Sequence, residues 1–225
     1  RIIIVGDFDA DGATSTSVCI LALLAMGYHN VDFLVPNRFD FGYGLSVPIV
    51  DEAAKQGAEV IVTVDNGISC IDGVTHAKSL GMQVVVTDHH LPGDVLPPAD
   101  AIVNPNQPGC EFPSKNLAGV GVAFYIMLAL KAELQQQGHF EKAGVAPPNL
   151  ASLLDIVAVG TVADVVVLDK NNRILVHQGL QRIRAGKCRP GIKALVEVAN
   201  RDCAHLTSTD LGFVVGPRLN AAGRL

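Results

Sequence analysis

Apolar and polar positions alternate in blocks along the first half of the chain. Arg1 to Val5 is a short run of mostly β-branched apolar residues, and a longer apolar run, Ala13 to Met26, follows the turn Gly6–Gly12. The short run predicts a buried strand and the longer one a buried helix. The alternation recurs: strands are predicted at 31–35, 59–64 and 83–87, helices at 47–56 and 70–80, and Ile102–Val103 is a candidate short strand.

Strands of Val and Ile without polar alternation are typical of a parallel sheet that is covered on both faces. The fold class predicted is therefore α/β, a doubly wound, mainly parallel sheet flanked by helices, followed by a helical connecting region. In that later region helices are predicted at 120–137, 151–159, 173–185 and 192–199, and an exposed loop at 136–149. We expect three parts: an α/β core at 1–110, its helical continuation at 111–215, and the start of a linker to a further domain at 216–225.

The composition favours a compact globular protein. It is 49% hydrophobic and only 17% charged, which excludes disordered, collagen-like and coiled-coil chains. No apolar run reaches the roughly 18–20 residues of a membrane span, so we expect a soluble protein without a membrane partner. We also expect it to be cytoplasmic and monomeric. Five cysteines form no C-x-x-C pair, so they predict reduced thiols and neither a zinc site nor a disulfide framework. The chain begins within a strand and stops within a Gly/Arg/Asn motif, as expected of a piece of a longer protein.

The net charge argues against one class of partner. Lys and Arg number 17 against 22 Asp and Glu, so the formal charge is −5. This is the wrong sign for a protein that holds nucleic acid by bulk electrostatics. Any nucleic-acid partner must therefore be held by local features.

Carboxylates follow three of the predicted strands. The first strand leads into DFDADG at 7–12, the third into DNG at 65–67 and the fourth into DHH at 88–90. In a parallel α/β sheet the carboxyl ends of the strands share one edge, where ligands bind. Like charges gathered there repel one another unless a cation is present. This pattern predicts a metal centre.

Each element of the pattern also has another interpretation. An Asp after a strand is often only the N-cap of the next helix, as Asp65 could be. DxDxDG resembles the start of an EF-hand loop, but the twelfth position is Val18 instead of Glu and the run follows a strand. A haloacid-dehalogenase-type phosphatase also places DxD after its first strand, with a nucleophilic Asp, but needs no later tandem His. His89 and His90 could be core or surface histidines, although their place beside a carboxylate favours ligation.

Mixed Asp and His ligation favours two ions of Mn²⁺ or Mg²⁺, with Mn²⁺ preferred because imidazole suits it better. Two such ions about 3.5–4 Å apart would activate a water and stabilise both oxygens of an in-line phosphoryl displacement. The chemistry predicted is phosphoester hydrolysis without a covalent intermediate.

DFDADG, VDNG and DHH, in this order and spacing, resemble motifs one to three of the DHH phosphoesterase superfamily. PNRFDFGYGLS, LAGVGVAF, GTVADV and GPRLNAAGRL further resemble its bacterial single-strand-specific 5′→3′ exonucleases over essentially the whole chain. The resemblance implies single-stranded DNA as substrate, a role in recombination and repair, and single-strand-binding protein and a helicase as candidate partners through regions beyond this chain. The alternatives are another phosphoesterase of the superfamily, acting on oligoribonucleotides, a cyclic dinucleotide or pyrophosphate, and a non-catalytic replication scaffold.

The resemblance also implies a set of metal ligands. These are the paired Asp7 and Asp9, the bridging Asp65, the first motif-three histidine His89, and Asp164 in GTVADV, with Asp155 as the other candidate for the motif-four aspartate. The superfamily often has a histidine before the paired aspartates, where this chain has Ile3. We expect Asp11 to take over part of that work.

Two further residues are implied to act beside the ligands. In the superfamily the position of His90 faces the scissile phosphate, where an imidazolium could stabilise developing charge. Its other interpretation is a residue that orients His89. Asp88 would hold an imidazole in the useful tautomer.

Three segments are candidates for substrate binding. Arg38 and Tyr43 lie in a turn that interleaves aromatic, Arg and Gly residues, where rings could stack bases or could simply fill the core. Gly119 and Gly121 precede a predicted helix and could present amides to a phosphate, although they lack the G-x-G-x-x-G spacing of nucleotide-cofactor folds. The last segment holds Arg218, Asn220 and Arg224 among small residues, which suits either phosphate recognition or a domain-connecting turn with solvated arginines.

Overall fold

The computed structural model describes residues 1–36 and 42–222. Within these ranges one five-stranded sheet has the order β2-β1-β3-β4-β5, and every neighbouring pair is parallel. The strands are β1 Ile2–Val5, β2 Val31–Leu34, β3 Val60–Val64, β4 Gln83–Thr87 and β5 Ala101–Val103. The predicted parallel sheet is confirmed, and the candidate short strand forms one of its edges.

Helices cover both faces of this sheet and form the later half of the chain. They are α1 Ala10–Ala25, α2 Val47–Lys55, α3 Ile71–Ser79, α4 Gly119–Gln136, α5 His139–Ala143, α6 Leu154–Ala163, α7 Lys170–Arg184, α8 Pro190–Val198, α9 Ser208–Asp210 and α10 Gly216–Ala222. Short 3₁₀ segments span Leu150–Leu153 and Cys203–His205, and a π-helical turn, Leu211–Val215, leads into α10.

The core lies in two layers, one on each face of the sheet. Ile3 and Val5 of β1 pack with α2 and α3, whereas Ile4 between them packs with α1, α4 and α6. Successive side chains of a strand point to opposite faces, so an all-apolar strand needs cover on both sides. The doubly wound α/β class is thereby confirmed. The helices after residue 111 share the second layer, which supports treating them as a continuation of the core, while the proposed boundaries stay a prediction.

The first helix begins earlier than predicted. α1 starts at Ala10, so Asp11 and Gly12 belong to its first turn instead of to a turn that runs through Gly12. The carboxylate of Asp9 accepts a hydrogen bond from the Gly12 amide at 2.9 Å and caps the helix. A Cβ at Gly12 would lie 2.3 Å from the backbone oxygen of Asp7, so this glycine lets the chain fold back closely. The early start places three aspartates within one tight turn.

The exposed loop predicted at 136–149 is partly wrong, because it contains α5. Gly138 and Gly144 bound this helix with positive φ angles of 67° and 65°. The ring of His139 stacks on Tyr28 at 5.3 Å, and Phe140 is buried. These distant contacts hold a helix too short for its local sequence to predict.

Two expectations from composition can be compared with the described residues. The five cysteines all lie within them and are free thiols. None of the helices described is long and apolar enough to cross a membrane.

Candidate metal centre

The carboxyl edge of the sheet gathers most of the ligands predicted from the sequence. The side chains after β1, β3 and β4 meet there with one from the end of α6. Their ligand atoms form three overlapping groups, each within 4.8 Å: Asp7, Asp9 and Asp65; Asp11, His89 and Asp164; and Asp65, His89 and His90. Asp65 and His89 each belong to two groups, so they lie at the centre of the cluster.

Asp65 has a strained backbone, and one of its carboxylate oxygens lacks a hydrogen-bond partner. Its φ angle is 61°, in the left-handed region that disfavours residues with a Cβ, and its side chain is almost wholly buried. Its Oδ1 lies 3.1 Å from Nε2 of His89, yet neither atom has a hydrogen-bond partner among the described residues. Buried polar atoms are seldom left in this state. Two lone-pair atoms facing one small space are suited to a cation.

Gly119 allows α4 to approach this carboxylate. A Cβ at Gly119 would lie 2.6 Å from the Cβ of Asp65. The amides of Gly119 and Val120 donate to Oδ2 and Oδ1 of Asp11 at 2.6 and 2.9 Å. The N-terminus of α4 therefore stabilises the buried Asp11 carboxylate by hydrogen bonds and by the helix dipole.

The prediction that Gly119 and Gly121 offer amides to a phosphate is wrong for this structure. The Gly119 amide is engaged by Asp11, and the Gly121 amide donates to the carbonyl of Ala118 at 2.9 Å. A Cβ at Gly121 would also lie 2.8 Å from a methyl group of Leu117. Both glycines are explained by close packing.

Burial and mutual repulsion raise the pKa of three of the clustered carboxyl groups, those of Asp7, Asp65 and Asp164. Burial raises the pKa of Asp7 to about 6, against the opposing hydrogen bond from the Phe8 amide. Burial, followed by the charge of Asp11, raises the pKa of Asp65 well above its usual value. Burial and then the charge of Asp9 raise the pKa of Asp164. A divalent cation would reverse these shifts because it favours the ionised forms.

His89 has the surroundings expected of a neutral, metal-binding imidazole. Burial lowers the pKa of its imidazole, with a further contribution from His90. The backbone of Leu117 partly opposes this shift, while Nε2 has no hydrogen-bond partner and lies 3.6 Å from Asp164 and 3.9 Å from Asp11. A neutral ring with one unpartnered nitrogen beside carboxylates is suited to metal ligation.

His90 is held in a different way. Its Nδ1 lies 2.7 Å from Oδ1 of Asp88, and this hydrogen bond raises the pKa of the imidazole. Asp88 also accepts from the backbone amides of His89 and Ile68, at 2.7 and 2.9 Å. Burial opposes ionisation of Asp88, but the hydrogen bonds from His90 and Ile68 outweigh it and its pKa is lowered. Asp88 thus orients His90, and the half-exposed ring borders a cavity of about 670 Å³.

Asp164 and Asp155 have different roles. Asp164 ends α6 beside His89, whereas Asp155 lies in the first turn of that helix, about 13 Å away at 1.5 Å per residue. Oδ2 of Asp155 accepts the backbone amide of Arg189 at 2.7 Å, just before α8. The prediction of Asp155 as a metal ligand is therefore wrong: it is fully buried and holds the start of α8.

A family model described as "DHH family, N-terminal domain" matches residues 1–161. The chain belongs to the DHH family. Over all 225 residues it is 68% identical to the single-stranded-DNA-specific exonuclease RecJ of Salmonella typhimurium, of which it covers 39%. This DHH chain therefore spans about two fifths of the length of that curated relative.

Solved structures give the same family relationship. A crystal structure of exonuclease RecJ bound to manganese matches the whole of this DHH chain with 35% identity and a TM-score of 0.82, over 53% of that chain. RecJ from Thermus thermophilus in complex with Mg²⁺ matches the whole chain with 30% identity and a TM-score of 0.63, over 26% of its length. The parallel sheet and flanking helices described above match this fold.

The residues of this DHH chain that were predicted to bind substrate differ in where the structure places them. The hydroxyl of Tyr43 lies near the carboxylate of Asp7 and interacts with it electrostatically, while 54% of the residue stays exposed. Arg38 and Arg224 lie outside the described residues. Nη1 of Arg218 donates to the carbonyl of Val214 at 2.7 Å. Oδ1 of Asn220 accepts the amide of Ala10 at 2.7 Å, and the substrate contact expected of this residue stays a prediction.

Sequence reasoning missed three asparagines that support the site. Nδ2 of Asn106 donates to the carbonyl of His89 at 2.6 Å, and Nδ2 of Asn104 donates to that of His90 at 2.8 Å. Asn66 joins the ends of two strands by donating to Val5 and Val64. Asn104 and Asn106 could have been found from the sequence, because the string NPN follows β5 at the same sheet edge as the aspartates.

Proposed function

We propose that this DHH chain is the catalytic part of a metal-dependent exonuclease that removes nucleotides from the 5′ ends of single-stranded DNA during recombination and repair. The observation that carries the proposal is the pair of buried, unpartnered atoms, Oδ1 of Asp65 and Nε2 of His89, inside a cluster of carboxylates. The choice of DNA and of the 5′ end rests on the likeness to RecJ proteins.

The donor set suits two ions of Mn²⁺ or Mg²⁺. Carboxylate oxygens suit both metals, and the imidazole favours Mn²⁺. When bound, two such ions lower the pKa of a water and neutralise charge on a phosphoryl group in displacement. The related RecJ structures are bound to manganese in one case and in complex with Mg²⁺ in the other. The residues that would hold the ions are Asp7, Asp9, Asp11, Asp65, His89 and Asp164.

The remaining residues of the site act on the substrate. His90 carries a raised pKa and is kept in place by Asp88, so a protonated ring can donate to an oxygen of the scissile phosphate. The exposed ring of Tyr43, whose hydroxyl lies near Asp7, forms part of the adjoining cavity and can stack on a base. We also propose that the arginines at 38, 218 and 224 contact phosphates.

The partners proposed follow from the same activity. Single-stranded DNA is the substrate, and single-strand-binding protein and a helicase would contact regions beyond this chain. We propose that the protein acts as a monomer in the cytoplasm. The residues described contain no membrane-spanning helix, and no membrane partner is proposed.

The proposal is tested by comparing four substrates with Mn²⁺ present: 5′-labelled single-stranded DNA, the matching duplex, a short RNA and pyrophosphate. We expect mononucleotides to be released from the 5′ end of single-stranded DNA and little activity on the other three. Hydrolysis of pyrophosphate alone, or of RNA alone, would contradict the proposal in favour of another DHH phosphoesterase.

Two histidine variants make this test specific. His89→Ala removes the central nitrogen and should abolish hydrolysis with the fold retained. His76→Ala is the matched control, because His76 lies on α3 and pairs at 2.7 Å with Asp51 at the protein surface. Full turnover by the His89 variant would show that the metal assignment is wrong.

A further inference from the structure

A side chain of α10, the last helix in the described part of the chain, touches one of the metal-binding turns. Oδ1 of Asn220, on α10, accepts the amide of Ala10 across 210 positions of sequence. Ala10 is the first residue of α1 and directly follows Asp9. The first amides of a helix have no partner within it, so this side chain satisfies an amide that the helix itself cannot.

The same helix touches a second metal-binding turn at its other end. Gly216 begins α10 and packs against Ala163, the last residue of α6. A Cβ at Gly216 would lie 3.0 Å from the Cβ of Ala163, closer than ordinary contact. Ala163 directly precedes Asp164. α10 thus contacts Ala10, which follows Asp9, and Ala163, which precedes Asp164.

Asp9 and Asp164 carry like charges on separate elements. The charge of Asp9 raises the pKa of Asp164, so the two carboxylates repel each other when both are ionised. Repulsion would push the two turns apart wherever the backbone could yield. A helix fixed to both turns opposes this movement, and Asn220 does so without adding a charge to an already acidic cluster.

We propose that α10 acts as a strut that sets the separation of Asp9 and Asp164 for cation binding, with Asn220 as a positioning residue. The inference rests on the metal site of the proposed function. In this proposal Asn220 acts through the backbone of Ala10 and does not need to contact the substrate.

The test measures Mn²⁺ affinity of the intact protein by calorimetry, independently of hydrolysis. Asn220→Leu keeps the approximate size of the side chain and removes the acceptor, so we expect the Kd for Mn²⁺ to rise about tenfold, the effect of one lost hydrogen bond. Asn220→Asp keeps an acceptor for the Ala10 amide and should therefore bind Mn²⁺ more tightly than Asn220→Leu.

Asn172→Leu is the matched control. Asn172 is a fully buried asparagine on α7 whose Nδ2 donates to the carbonyls of Asn116 and Val167. Its loss should lower the melting temperature and leave the Kd for Mn²⁺ unchanged. A general loss of stability would thereby be separated from a change in the site.

Two results distinguish the inference from the proposed function. If the wild type binds Mn²⁺ and Asn220→Leu binds it equally well, the strut is disproved and the proposed function stands. If the wild type binds no Mn²⁺, both are overturned.

Should Asn220→Leu not fold, Gly216→Ala provides the test, because its added methyl group must move α10 away from Ala163. A several-fold weaker Kd supports the strut, and an unchanged Kd overturns it.

Discussion

At the scale of single residues, Asp65 is a side chain whose negative charge is costly to bury. It combines deep burial, a left-handed backbone and an unpartnered oxygen. The sequence predicted its chemistry, because an Asp after a strand stands at the sheet edge. Its positive φ could not be predicted from the residue type, and neither could the close approach of Gly119, which lies 54 positions later in the chain. Local sequence specifies the ligand, whereas its packing partner comes from a distant segment.

Asp65→Asn should stabilise the metal-free protein at pH 8, by about 1 kcal/mol, because an amide in place of a buried carboxylate carries no charge. The pKa of Asp65 is raised in the folded state, so its protonated form contributes stability below its ordinary pKa of 3.8, and this is lost as pH rises. The advantage of the variant should therefore shrink towards pH 4. Urea unfolding in EDTA at both pH values measures it. A variant less stable than wild type at pH 8 would contradict the electrostatic interpretation.

Gly119→Ala should destabilise the fold by about 1–3 kcal/mol, because its methyl group would overlap Asp65. Mn²⁺ affinity should fall with it. The control is Gly191→Ala in the first turn of α8, where no atom lies within 4 Å of the added carbon. That change should be neutral or stabilising by up to about 1 kcal/mol. Equal stabilities of the two variants, measured by thermal unfolding, would disprove the close-packing explanation.

At the scale of elements, the strands were predictable and the helix ends less so. Runs of Val and Ile located the strands, whose common carboxyl edge followed from parallel pairing. The start of α1 depended on the cap by Asp9, which apolar periodicity does not reveal. Both Asp155 and Asp164 stand at ends of the apolar helix α6, so spacing alone could not choose between them. The partner of Asp155 before α8, Arg189, resolved the choice.

The two aspartates of α6 should therefore give opposite phenotypes. Asp155→Ala removes the acceptor of the Arg189 amide and should cost about 1–3 kcal/mol of stability, with an unchanged Kd for Mn²⁺. Asp164→Asn should retain the stability of the metal-free protein but lose Mn²⁺ binding and hydrolysis. Unfolding curves and Mn²⁺ titrations of both variants measure the difference. Loss of Mn²⁺ affinity in a folded Asp155→Ala protein would reverse the assignment.

At the scale of the whole molecule, the net charge of −5 is explained in part by the site. Five of the clustered side chains are aspartates at one edge of the sheet. Two divalent cations there would nearly neutralise the formal charge and make this edge attractive to phosphate. An acidic composition thus becomes compatible with a nucleic-acid substrate, provided that the metal binds first.

DNA affinity should accordingly depend on the metal. A single-stranded oligonucleotide with non-hydrolysable phosphorothioate linkages should bind at least tenfold more tightly with Mn²⁺ than with EDTA. Fluorescence anisotropy at constant ionic strength measures this difference, with Asp164→Asn as a variant that should show no gain. Equal binding with and without Mn²⁺ would show that the metal contributes nothing to holding the strand.

The central claim is that the carboxyl edge of this sheet holds two divalent cations. Calorimetric titration of the wild-type protein with Mn²⁺ tests it most directly, with His89→Ala titrated in parallel. The account predicts two ions per chain for the wild type and loss of at least one of them in the variant. A wild-type titration without binding heat, supported by equilibrium dialysis without retained Mn²⁺, would contradict it.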